Sequence, residues 1–84
     1  MTISQNDLVS LILELSPIPG LDAAAVASCE ELLTGGLIDS MGLLQVVEAI
    51  ERDLGRPVPA GAISIDNFNS LAAIGRLQAK LAAA

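Results

Sequence analysis

The chain has 84 residues, of which 10 are acidic and 4 basic, giving a formal net charge of −6, with no histidine and one cysteine. That length supports one hydrophobic core, and the negative charge disfavours nucleic-acid phosphates and anionic lipid, so protein partners are expected. One thiol, Cys29, excludes an internal disulfide and a thiolate metal cluster, and without histidine there is no ordinary general base for a nucleophile.

Hydrophobic residues make up 52% of the chain, yet Phe68 is the only aromatic, so the core is expected to be aliphatic and helical rather than a β-sandwich. No apolar run approaches membrane-spanning length, and "MTISQNDLVS" has neither the basic start nor the cleavage site of a signal peptide. A cytoplasmic monomer of one domain, residues 1–84, is the expectation.

In chain order, "SQNDLVSLILEL" places Leu8, Val9, Leu11, Ile12 and Leu15 on one arc, predicting a helix over 4–15 with Ser4 as cap and Pro17 beyond its end. Residues 16–36 carry two prolines and a glycine early and Gly35-Gly36 at the end. They read as a long crossover anchored by Leu21, Leu32 and Leu33, with a short turn near 22–28. The clearest period runs over 40–54. Leu43, Val46, Val47, Ile50 and Leu54 share one face, Met41, Gln45, Glu48 and Arg52 the opposite one, with Asp39 as cap and Gly55 and Pro57 after the end. A short helical turn is expected at 60–67. Leu71, Ile74, Leu77 and Leu81 then mark a last helix over 70–82, capped by Asn69 or Ser70, with the final three alanines as a frayed tail. The result is a bundle of three main helices with one long excursion.

The stretch "LIDSMG", residues 37–42, puts Ser40 at the start of the second long helix. A nucleophile elbow would need glycine where Ile38 stands, and Lys80 and the carboxylates are poor bases at ordinary pKa, so autonomous hydrolysis is not expected. Asp39 and Ser40 could be only a helix start, worth about 1 kcal/mol. A helix N-terminus also suits a phosphate carried on Ser40, and Gly36 and Gly42 on either side suggest backbone open to approach. On that view Gly42→Ala should raise the melting temperature slightly.

"GGLIDSMGLLQVVEAIERDLG", with "IDNFNSLAAIGRLQAKL" after it, resembles the acyl carrier and peptidyl carrier proteins over nearly the whole chain. The resemblance implies an all-α, four-helix bundle of the acyl-carrier type: three long helices, one short one and a long first loop. It implies that Ser40 is the attachment point for 4′-phosphopantetheine, delivered from coenzyme A by a phosphopantetheinyl transferase, and that Asp39 supports the transfer at the transferase's magnesium site. The protein itself would then be no enzyme and would hold no metal. The arm's thiol would carry the cargo as a thioester, leaving Cys29 as a small structural hydrophobe.

Carriers of type II fatty-acid synthesis present a carboxylate-rich second helix. Here the outward face is Met41, Gln45, Glu48 and Arg52, with Gly42 beside it, and Glu48 and Arg52 are spaced to pair with each other. Met41 is a candidate apolar anchor for a transient partner. The "DSMG" form is also similar to D-alanyl and other freestanding aminoacyl carriers. The expected function is therefore a discrete carrier of an aminoacyl or short acyl unit in polyketide or nonribosomal-peptide-type secondary metabolism, such as antibiotic biosynthesis. Its partners would be an adenylating ligase or acyltransferase that loads the arm and a downstream acyl-accepting enzyme. Fatty-acid and D-alanyl carriers are the nearer alternatives, and an unmodified helical docking or scaffold domain is the alternative of another class.

Overall fold

Helices begin in this chain where a side chain supplies an acceptor for the otherwise unpaired N–H groups of the first turn. A computed structural model of the protein describes residues 3–83. Ser4 Oγ accepts from the Asp7 N–H (3.1 Å) to start α1 (Gln5–Leu15), as the sequence predicts. Asp22 accepts from the Ala25 N–H (2.8 Å) to start α2 (Ala23–Ser28). Only a turn is expected there. The run of alanines, the strongest helix formers, and burial of Val26 convert it to a helix.

Asp39 then opens α3 (Ser40–Leu54), which ends at Gly55 in the left-handed conformation. The expected helical turn over 60–67 divides in two, a 3₁₀ turn (Ala60–Ala62) and α4 (Ile65–Phe68). Ser64 separates them because its hydroxyl accepts from the Asn67 N–H and so begins a new helix. For α5 (Leu71–Ala83), Ser70 rather than Asn69 accepts from the first turn, at the Ala73 N–H (3.0 Å). Ala82 and Ala83 belong to this helix rather than to a frayed tail, and Ala84 lies outside the described residues.

All regular structure among the described residues is helical. Helix α1 packs against α2, α3 and α5, while α4 packs on α5. The expected stripes point inward: Leu8 and Ile12 of α1, Val46, Val47 and Ile50 of α3, and Leu71, Ile74 and Leu77 of α5 are buried around Phe68. Leu43, Leu54 and Leu81 are half-buried at the edge of that core. None of the helices is long and apolar enough to cross a membrane among the described residues.

Two polar contacts tie the ends of elements together. The Glu51 carboxylate accepts from the Val58 N–H (2.8 Å), folding the segment after α3 back onto it. Gln78, 3% exposed on the inner face of α5, accepts from the Ile3 N–H (2.8 Å) and donates to the Ile3 carbonyl (3.4 Å). That pairing satisfies an otherwise costly buried amide.

Candidate functional site

Ser40 is the first residue of α3 and is exposed. Asp39 does the capping: its Oδ1 accepts from the Gly42 N–H (2.8 Å), and its backbone carbonyl from the Leu43 N–H (2.9 Å). The Ser40 hydroxyl therefore has no part in ending the helix, and among the described residues it makes no hydrogen bond. It stands at the positive end of α3, the longest helix among the described residues, in a chain that has no histidine to activate it.

The chain reaches Ser40 through a loop that is pinned rather than free. Ile38, 1% exposed, anchors it in the core, and the Ile38 N–H donates to the Leu32 carbonyl (3.0 Å). Gly36 turns the loop at φ +80°, a conformation that a side chain would disfavour. The main fastening comes from Asn69, between α4 and α5. Its Oδ1 accepts from the N–H groups of Leu33 (2.8 Å) and Thr34 (3.2 Å), and its Nδ2 donates to Thr34 Oγ1 (3.2 Å). Its backbone carbonyl also accepts from the Leu32 N–H (2.8 Å). Sequence reasoning considers Asn69 only as a cap. The signal available was the asparagine itself, whose amide can hold two strands of backbone at once.

Beside the serine lies an open cleft of about 510 Å³ lined mainly by apolar groups of Leu33, Ile38, Leu43 and Ile65, with Thr34, Gly36, Asp39 and Ser40 at its polar edge. Of the four large apolar side chains exposed to solvent among the described residues, Ile18 lies in the first loop, and the other three are the most exposed: Met41 (66% exposed), Leu44 (53%) and Ile65 (55%). Met41 is thus presented as expected, and Leu44 and Ile65 add to it without having been foreseen. Leu44 escaped notice because it falls between the inward and outward stripes of α3. Gln45, Glu48 and Arg52 are exposed on that helix. The expected Glu48–Arg52 ion pair does not form among the described residues, since both ends are solvated and gain little by meeting.

Gly42 departs from its expected role. It is buried, and a Cβ there would lie 3.3 Å from Ile38 Cβ and 3.5 Å from Asp39 Oδ1, so the missing side chain makes room for the loop's own anchor. Since Ile38 is fully packed, Gly42→Ala should lower stability by about 1 kcal/mol, the crowding exceeding the gain in helix propensity. Thermal denaturation checks the sign. A raised melting temperature would mean that Ile38 yields at no cost.

Cys29 is half-buried at the end of α2 and accepts from the Glu31 N–H (3.3 Å), a structural position away from the serine cleft. No family model, curated protein or solved structure matches the chain, and the functional reading therefore rests on this serine, its fastened loop and the cleft beside it.

Proposed function

We propose that the protein is a carrier whose Ser40 receives 4′-phosphopantetheine and which presents an aminoacyl or short acyl group to partner enzymes. The observation that carries this reading is the idle hydroxyl of Ser40: Asp39 already caps α3, so the exposed serine beside it has no structural task. On this reading the three long helices and α4 make an acyl-carrier type of four-helix bundle, and α2 lies within its long first loop.

The residues present fit the group. In the modification step Ser40 Oγ bonds to the phosphorus that bears the pantetheine, coenzyme A loses its adenosine bisphosphate, and the serine proton passes to the transferase. Activation from outside is required because the chain has no histidine. Asp39 uses only Oδ1 in the cap, which leaves Oδ2 to the transferase's metal centre. Once attached, the arm supplies a thiol that holds cargo as a thioester. The cleft along Leu33, Ile38, Leu43 and Ile65 gives apolar surface next to the attachment point.

Met41, Leu44 and Ile65 form an apolar recognition face around the serine, with Gln45, Glu48 and Arg52 further along α3. So neutral a face supports loading by an adenylating ligase or acyltransferase of polyketide or nonribosomal type over recognition by a strongly basic patch.

Intact-mass measurement before and after incubation with coenzyme A and a permissive phosphopantetheinyl transferase tests the reading. One added phosphopantetheine on the parent and none on Ser40→Ala is the expected result. No addition to the folded parent by several transferases would overturn it in favour of an unmodified docking domain.

A further inference from the structure

A second cleft of about 510 Å³ lies between the 3₁₀ turn and α5, and it shares no lining residue with the serine cleft. The two are separated by α4: Ile65 lines the serine cleft and Asn67 the other. Its apolar surface comes from Pro59, Ala62, Leu77 and Leu81, and its rim from Arg76 and Lys80. These are two of only four basic residues in a chain of net charge −6. Both are exposed, no acidic residue lines the cleft, and neither cation makes an ion pair among the described residues. A third basic residue, Arg56, donates to the Leu81 carbonyl and so holds the end of α5 in place.

We propose that this cleft is a docking groove for an acidic amphipathic helix of a partner protein. Arg76 and Lys80 are one helical turn apart, about 6 Å along α5, which matches carboxylates four residues apart on a facing helix. The half-buried Leu81 follows Lys80 by one residue and, with Pro59 and Ala62 over the buried floor of Leu77, gives apolar surface for side chains next to the partner's carboxylates. The net charge of the whole chain opposes a long polyanion or an anionic bilayer. A short acidic segment feels chiefly the local pair, because at physiological salt charges beyond about 8 Å are screened. Docking here leaves Ser40 uncovered, so the groove can tether a partner while the serine site acts. The proposal does not depend on modification of Ser40.

The probe is a synthetic 14-residue helix carrying Glu–Leu pairs at four-residue spacing, titrated into the ¹⁵N-labelled full chain and followed by amide chemical shifts. Shifts confined to Ala60–Asn67 and Arg76–Leu81, weakened at least tenfold by Arg76→Gln with Lys80→Gln and by raising salt from 50 to 500 mM, are the expected result. Gly61→Glu is a second variant that tests the groove: a Cβ at Gly61 meets nothing within 4 Å, so the fold is kept while a carboxylate enters the rim. It should also abolish binding. No shifts up to millimolar peptide, shifts that map to Leu33–Leu43 instead, or binding unchanged in the variants would overturn the proposal. Equal or stronger shifts with phosphatidylglycerol vesicles would replace the helical partner with a membrane surface.

Discussion

Asn69→Ala should lower the stability of the domain by about 2–3 kcal/mol and, if Ser40 is the attachment site, slow its modification although residue 69 is distant from it in sequence. The side chain accepts from two backbone N–H groups, at Leu33 and Thr34, and donates to the Thr34 hydroxyl. Alanine would leave the half-buried Leu33 N–H without a partner, and losing such an acceptor costs about 1–3 kcal/mol, with a smaller share from the exposed Thr34 contacts. For a domain of this size that corresponds to a fall of roughly 10 °C or more in melting temperature. Asn69→Asp keeps both acceptor interactions and should recover most of the loss. If alanine melts with the parent, the backbone bonds of Leu32 and Ile38 hold the loop unaided.

Asp39 can be divided into its two roles by a pair of variants. Asparagine caps a helix about as well as aspartate, so Asp39→Asn should keep stability within about 0.5 kcal/mol, whereas Asp39→Ala should lose about 1 kcal/mol with the Gly42 bond. If the carboxylate serves the transferase's metal, Asp39→Asn should nevertheless load roughly 10- to 100-fold more slowly, the scale of one lost charged contact. Initial rates of mass gain with coenzyme A, set beside melting curves, separate these effects. Parent-like loading of Asp39→Asn would reduce Asp39 to a cap.

The long helices were legible because their apolar residues repeat at helical spacing and their caps are short polar residues at the right place. Ser4, Asp39 and the stripe from Leu43 to Ile50 needed no tertiary information. The position of Ser40 at the start of α3, directly after a capping aspartate, was likewise visible. The fastenings were not visible. Asn69, Glu51 and Gln78 each bond to backbone that local periodicity cannot locate; Asn69 reads only as a candidate cap, and Glu51 and Gln78 as ordinary polar surface residues. Gln78 even follows Leu77 on the inward side of α5, where a pattern of apolar residues gives no reason to expect an amide. Gly42 was misjudged because a glycine looks the same in sequence whether it admits a partner or its own chain.

The Asn69 fastening also orders events during synthesis. Leu33 cannot be held until a residue 36 positions later has emerged, and Ile3 must wait 75 positions for Gln78. At about 5–20 residues per second the 36 positions from Leu33 to Asn69 are a delay of about 2–7 s, during which α1 and α2 can already pair but the loop before Ser40 lacks its Asn69 fastening. If the protein is a carrier, a transferase that requires that loop in place would thus pass over the chain until Asn69 has emerged and paired with Leu33.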